Sequence, residues 1–258
     1  MLRVEAIYIA PVKSLALQAV ESASIERDGL AGDRAFFLVS ERGRLFTQRE
    51  CGPLVRVRAE YDDAAARLRL TFPDGKVVDD TVEVGEPATT RFFGLYDVPG
   101  LEVRGPWAEA LSSFAGVTVR LMRPDRRHAF DALPVSILST ASIDALRESS
   151  GNQAIEARRF RPNIVVGGAA SAHEEDGWLQ RDVRIGTAVV RPLMRDPRCA
   201  IVTHSPDSGE RDFDTLRAIT MYRVDQPKEV NFGVYGGVIT PGEVRLGDEV
   251  VPAAAPAA

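Results

Sequence analysis

Ala35-Phe36-Phe37-Leu38-Val39-Ser40-Glu41-Arg42-Gly43-Arg44-Leu45-Phe46-Thr47-Gln48-Arg49 reads as an antiparallel pair of strands. Five consecutive apolar residues suit a strand covered on both faces. Glu41-Arg42-Gly43-Arg44 is a hairpin turn, and Leu45 to Arg49 run back along the first strand. The same grammar continues on either side. Residues 2–9, 19–26, 55–61 and 65–72 have strand character, and Arg27-Asp28-Gly29 and Pro73-Asp74-Gly75-Lys76 are turns. No helical period of useful length interrupts residues 1–95. Repeated short strands with turn signals predict an antiparallel barrel or sandwich there.

The character changes near Phe93-Gly94. Trp107, Leu111 and Phe114 recur four and three apart and predict a helix over residues 107–114. A strand follows at 117–122, and a loop from Ala129 leads into another that ends near Leu138. Ser139 or Thr140 then caps a helix that Gly151 ends. Residues 183–193 alternate as a strand, 213–222 offer a helix, 229–239 form a glycine-rich strand, and 244–251 close the chain as a hairpin arm. The expected fold is mainly β with a few α-helices (α+β). The expected units are residues 1–95, 96–251 and a disordered Ala/Pro tail, 252–258.

At 258 residues the chain is long enough for one large domain or two small ones. A net charge of -5 disfavours a general nucleic-acid binder. No apolar run is long enough to cross a bilayer, and the N-terminus lacks the pattern of a signal peptide. Two cysteines at unrelated spacing make no disulfide framework, so a cytoplasmic location is expected.

Chemistry concentrates in two stretches. In Asp196-Pro197-Arg198-Cys199-Ala200-Ile201-Val202-Thr203-His204-Ser205-Pro206-Asp207-Ser208-Gly209, the apolar run after Cys199 predicts that the thiol stands at the mouth of a short strand. Beside Arg198 such a thiol can ionise and act as nucleophile or soft metal ligand. It can equally be a small packed hydrophobe. His204 is expected to bond the turn beside it, and Cys51 to be a packing residue. In Arg158-Arg159-Phe160-Arg161-Pro162-Asn163-Ile164-Val165-Val166, polar Arg161 and Asn163 stand directly against a buried-looking strand. An Arg fork matches phosphate oxygens at two points. Arg158 reads as a surface ion pair with Glu156. Lys13 and Ser14 follow Pro11 on a strand exit and can offer an ammonium and a hydroxyl to an anion. Arg34 is either paired with Asp33 or aimed at a ligand. Glycines in the 229–239 strand mark a bulge or a close backbone approach.

No dinucleotide fingerprint, phosphate loop, nucleophile elbow or His-Glu-x-x-His motif is present. Two Cys with His128, His173 and His204, all far apart, make a four-ligand zinc site a poor fit. A Cys-His protease pairing of Cys199 with His204 or His128 has no family spacing behind it.

Taken together, Pro11-Val12-Lys13-Ser14-Leu15, Gly32-Asp33-Arg34, Thr47-Gln48-Arg49, Phe160-Arg161-Pro162-Asn163-Ile164-Val165, Arg198-Cys199 with Thr203, Asp207 and Gly209, and Phe232-Gly233-x-Tyr235 with Gly242 and Gly247-Asp248 form an ordered set. With these anchors the chain resembles the MOSC family, in the branch with an N-terminal β-barrel that includes the amidoxime-reducing components. The resemblance spans about residues 2–250. It implies an N-terminal β-barrel-like domain packed on a MOSC β-barrel domain, with a molybdenum cofactor (Mo-molybdopterin) between them. By resemblance, Cys199 is the metal ligand, and Lys13, Ser14, Arg34, Arg161 and Arg198 hold the cofactor. Asn163 lines the catalytic site and Tyr235 stands near the metal. Val202-Thr203-His204-Ser205-Pro206 departs from the Thr-Thr-Val-Asp-Pro of many relatives. Ala132-Leu133 stand where some relatives carry hydroxyls.

Two functions follow from the resemblance. The first is a molybdenum-dependent oxidoreductase that reduces small N-hydroxylated compounds. Several bacterial relatives append a ferredoxin domain that this chain lacks, so electrons are expected from a separate ferredoxin- or flavodoxin-type donor with its reductase. The second is a carrier of sulfur or of the cofactor, with no turnover of its own. Neither nucleic acid nor membrane is an expected partner.

Overall fold

The computed structural model describes residues 1–125, 129–224 and 229–254. His128 and residues 255–258 of the expected tail lie outside them. The described chain is mainly β with three α-helices, as the alternation in the sequence implies. The largest sheet runs Val250–Pro252, Val183–Ile185, Ala188–Pro197, Asn231–Thr240, Val135–Ser139, Ile164–Gly167, Arg3–Ile9, Gln18–Val20. Its neighbours are antiparallel except for Val135–Ser139 beside Ile164–Gly167. Parallel neighbours need a long crossover, and the helix Thr140–Ser150 lies within it. Ser139 caps that helix by accepting the Ser142 N–H, and Gly151 ends it at φ 70°. The other two α-helices, Trp107–Ala115 and Thr215–Tyr222, stand where apolar spacing places them.

A second sheet runs Glu83–Phe92, Tyr96–Arg104, Val119–Pro124, Phe37–Ser40, Leu45–Phe46. The apolar run that opened the reading is covered on both faces because side chains alternate across a strand. Phe36 and Leu38 enter one core with Leu54, Leu70 and Trp107, while Phe37 and Val39 enter another with Phe92 and Met122. Trp107 is fully buried, and its indole N–H donates to the Leu68 carbonyl at 3.0 Å. Smaller sheets join Gly242–Arg245, Ser22–Glu26 and Gly29–Leu30, and Arg58–Asp62, Arg67–Thr71 and Val77–Thr81. Among the described residues no helix is long and apolar enough to cross a membrane.

Several local expectations change. The hairpin Glu83–Phe92/Tyr96–Arg104 has no sequence counterpart, because its first strand is largely exposed and contains Pro87 beside a register irregularity. The junction at residues 95/96 falls in this hairpin's turn. Residues 19–26 break at Glu21 into two strands that serve different sheets. The Cys199 segment is not a strand entrance. Strand Ala188–Pro197 precedes it, and the apolar run after it winds into a 3-10 turn, Ala200–Thr203, closed by Thr203 Oγ1 donating to the Ala200 carbonyl at 2.6 Å. Three apolar residues ahead of a hydroxyl that can bond i−3 suit that turn better than a strand. The His204 ring does not bond the turn: its Nδ1 is buried without a partner, and the residue is held through its backbone. The start of the tail is ordered. Pro252 closes a strand, and the Ala253 N–H donates to Asp182 at 2.7 Å. In the glycine-rich strand, a Cβ on Gly233 would stand 2.7 Å from the Ile137 carbonyl, so this glycine serves strand-to-strand approach.

Gly52 and Gly209 cross backbone to backbone, which ties the loop after Cys199 to the segment after Cys51. A Cβ on Gly209 would fall 1.9 Å from the Gly52 carbonyl oxygen, and Gly209 has φ 76°. Gly209→Ala is expected to cost about 2–4 kcal/mol from overpacking and left-handed strain, read as a fall in the urea midpoint. Gly43→Ala, at φ 69° with open space around it, should cost only about 1 kcal/mol.

Candidate functional site

Lys13, Ser14, Arg34, Arg161, Asn163, Arg198, Cys199 and Tyr235 all line one cavity between the sheets. The backbone works to put them there. Ser14 (φ 75°), Arg34 (φ 49°), Phe93 (φ 51°) and Arg161 (φ 52°) are four of the seven described non-glycine residues in the left-handed region, and all four are in the cavity wall. Each such conformation costs on the order of 1 kcal/mol or more and persists only where surrounding structure imposes it.

Asp33 imposes much of it. It is fully buried and accepts from the Ala10 N–H at 2.7 Å, from Arg34 Nη1 at 2.6 Å and from Asn163 Nδ2 at 2.8 Å. Arg34 is therefore both paired and aimed: its second nitrogen reaches the Arg161 carbonyl at 3.1 Å while the side chain faces the cavity. Asn163 spends its whole amide on the protein. Its Oδ1 accepts from the Ser136 N–H and hydroxyl at 3.0 and 3.1 Å, and Nδ2 also reaches the Tyr8 carbonyl. Asn163, expected as a catalytic residue, lines the cavity with its amide held by Ser136, Tyr8 and Asp33.

Charge is unevenly balanced. Lys13 is buried, donates to the Ala129 carbonyl at 2.8 Å and is ion-paired with Asp131. Burial holds its ammonium below the usual lysine range, against the pull of Asp131. Arg198 is paired with Asp196 at 2.7 Å, and its other nitrogens donate to the Phe232 and Phe160 carbonyls at 2.8 Å. Its guanidinium thus holds the turn before Cys199 and has little left for a ligand. Arg161 differs. It donates to the Leu15 carbonyl at 2.7 Å, yet among the described residues no carboxylate comes within ion-pair distance of it. Burial, then the neighbouring Arg34 charge, pull it down to about 9. A guanidinium keeps its proton in proteins, so burial and Arg34 leave a charge here that an anion would stabilise. Gln48 Oε1 is buried in the same wall with no hydrogen-bond partner.

Cys199 is free and half-buried at the head of its 3-10 turn. Asp196 and Tyr235 accompany it. The pairing of Ala188–Pro197 with Asn231–Thr240 slips between Arg195 and Pro197. Such irregularities re-aim side chains beside sites, and Asp196 lies in the slip with its carboxyl buried in the wall. Burial pushes it up to about 7, with Arg198 opposing. Burial, followed by the Asp196 charge, drives the Tyr235 phenol well above the ordinary range. Arg158, as expected, pairs with Glu156 at 2.8 Å and with Asp207. Cys51 packs against the core that holds Leu54.

Sequence reasoning named Asp33 only as a possible partner of Arg34 and missed Asp196 and Asp131. Asp33 and Asp196 stood inside quoted motifs, and a carboxylate wedged between apolar residues and an Arg was their available signal. Asp131, 118 residues from Lys13, left none.

The family model described as MOSC domain matches residues 124–251, and that described as MOSC N-terminal beta barrel domain matches residues 1–95. The chain is 30% identical to a mouse (Mus musculus) protein named mitochondrial amidoxime-reducing component 1, over 95% of this chain and 80% of that one. It is 29% identical to the bovine (Bos taurus) mitochondrial amidoxime reducing component 2, over 96% and 82%. A rice (Oryza sativa subsp. japonica) protein named molybdenum cofactor sulfurase is 24% identical over 90% of this chain and 32% of its own length.

Asp33→Ala strands a buried cation, a backbone N–H and an amide, and should cost about 3–5 kcal/mol in chemical denaturation. Arg161→Met removes an uncompensated charge. In protein without ligand it should leave stability unchanged or raise it by about 1–2 kcal/mol, while abolishing the rise in Tm that inorganic phosphate gives the wild-type chain.

Proposed function

We propose, for a chain that belongs to the MOSC family and carries its N-terminal β-barrel domain, the reduction of small N-hydroxylated compounds on a molybdenum cofactor. The observation behind this reading is the meeting in one cavity of a free thiol, Cys199, with an arginine, Arg161, that has no carboxylate within ion-pair distance among the described residues.

The residues present fit the cofactor. A thiolate is a soft ligand, suited to a metal whose other ligands include sulfur. Among the described residues no three His, Cys, Asp or Glu side chains gather to hold a bare ion, so Cys199 would share the metal with ligands from an organic group. Arg161 and Arg34, with the Ser14 hydroxyl, suit that group's phosphate. Gln48 Oε1 offers an acceptor to a ring N–H. When bound, the cofactor supplies two-electron oxygen-accepting chemistry; the protein supplies orientation, charge and protons.

The overall change is R–NH–OH + 2 e⁻ + 2 H⁺ → R–NH₂ + H₂O. This reading takes the electrons from a separate donor, of ferredoxin or flavodoxin type with its reductase. Phe93 and Phe130 form an apolar part of the wall. Names of the amidoxime-reducing relatives support the reductase reading. The sulfurase relative supports a second one, in which Cys199 carries a persulfide or the chain hands the cofactor on.

Elemental analysis separates the two: about one molybdenum per chain for the reductase, thiol-labile sulfur on Cys199 for the carrier. Cys199→Ser should keep the fold by circular dichroism and lose N–OH reduction by at least 10³-fold. Full turnover by that variant with cofactor bound rules the assignment out.

A further inference from the structure

We propose that the arginine-rich mouth of this cavity, formed by Arg44, Arg49 and Arg91 with the exposed Leu95, is the docking surface of an acidic one-electron carrier protein. The inference rests on the reductase reading, and deepens it by naming where the electron donor binds and what charge its surface must carry.

Two turns build the patch. Residues 41–44 join Phe37–Ser40 to Leu45–Phe46, and residues 93–95 join Glu83–Phe92 to Tyr96–Arg104. An isolated parallel bridge pairs Arg44 with Arg91 and so brings the two outer strands of that sheet together. Like charges set side by side on neighbouring strands repel. Asp97 relieves Arg91 at 3.1 Å. Among the described residues no carboxylate, Glu41 included, comes within ion-pair distance of Arg42, Arg44 or Arg49. Glu50, next to Arg49 in the chain, is turned onto the Thr47 N–H and hydroxyl at 2.8 Å. All four arginines are exposed, and Leu95 is 74% exposed. A chain with a net charge of -5 repels an acidic protein as a whole, so a local cluster of unpaired guanidiniums fixes where such a partner lands.

One ring joins the patch to the cavity. Phe93, at φ 51°, lines the hollow that Cys199 also lines. The exposed Arg49 guanidinium stands over that ring at 5.1 Å, and the buried Lys13 ammonium lies 5.9 Å from it. The Tyr96 hydroxyl donates to the Phe130 and Asp131 carbonyls at 3.3 and 3.2 Å, which ties the second turn to the cavity wall. A partner seated on Arg49 and Leu95 therefore rests against the wall of the redox site.

The chemistry favours a brief encounter. Each turnover follows R–NH–OH + 2 carrier(reduced) + 2 H⁺ → R–NH₂ + H₂O + 2 carrier(oxidised). A one-electron carrier must dock, give up its electron and leave twice. Charge steering onto a small apolar centre speeds association while keeping the complex weak, as suits a redox encounter.

An acidic two-iron ferredoxin is the probe. Binding of the oxidised ferredoxin to the full chain, read by calorimetry, should weaken at least about tenfold between about 0.05 M and about 0.3 M salt. At low salt Arg44→Glu and Arg49→Glu should each weaken it about fivefold or more. Arg245→Glu, the same change of charge at an exposed site on Gly242–Arg245, should weaken it by no more than about twofold. In molybdenum-loaded enzyme the two patch variants should raise KM for reduced ferredoxin by a similar factor. N–OH reduction driven by dithionite-reduced methyl viologen should stay at the wild-type rate in both. Equal losses in Arg245→Glu and the patch variants, or binding indifferent to salt, overturns the docking surface. Binding to phosphatidylserine vesicles with none to ferredoxin overturns it too. Ferredoxin binding that follows the arginines, in a loaded enzyme that viologen cannot drive against any N-hydroxylated compound, keeps the surface and overturns the reductase reading instead.

Discussion

One buried carboxylate, Asp33, holds the two halves of this molecule in register. Its oxygens take an N–H from the end of the first strand, the guanidinium of Arg34 and the amide of Asn163. Through Asn163 it reaches Ser136 and Tyr8, and through Arg34 it reaches the Arg161 carbonyl. In a low-dielectric interior every such bond is strengthened, and every one left unmade is costly. This network is complete at Asn163, whose oxygen and nitrogen each have two partners. Completeness lets the polar seam stand among apolar cores without dissolving them.

The same seam concentrates positive charge in a chain whose net charge is -5. Lys13, Arg34 and Arg198 each have a carboxylate. Arg161 has none within ion-pair distance among the described residues, and its backbone is held in the left-handed region at φ 52°. Two costs thus fall on one residue, a desolvated charge and a strained conformation. Neither stabilises the fold, which points to a ligand as the reason both persist. The neighbouring arginine, Arg198, has the opposite assignment, since its donors are consumed in shaping the turn that presents Cys199.

Irregularities of the large sheet also serve the site. A flat ladder would leave Asp196 alternating with its neighbours across strand Ala188–Pro197. The slip between Arg195 and Pro197 instead leaves it buried in the cavity wall that Tyr235 also lines. Gly233 lets that strand pair lie close to the Ile137 carbonyl. Gly52 and Gly209 do the same for the loop after Cys199. Each of these is a place where a regular element yields to a contact made across the molecule.

Local physics was legible in the residues alone. The two-sided apolar run at 36–39, the Ser139 cap, the Gly151 stop and the helices at Trp107 and Thr215 each depend on neighbours within a few positions, so periodicity and cap chemistry reveal them. Hairpin Glu83–Phe92/Tyr96–Arg104 was not legible, because an exposed, proline-bearing strand owes its existence to its partners. The sequence could also nominate Cys199 and a set of cations. It could not distinguish Arg161, left without a counter-charge, from Arg198, spent on carbonyls, or reveal that Asp131 meets Lys13 from 118 residues away. What a buried charge does depends on which opposite charge and which carbonyls surround it, and those come from distant parts of the chain. Only the tertiary fold sets them side by side.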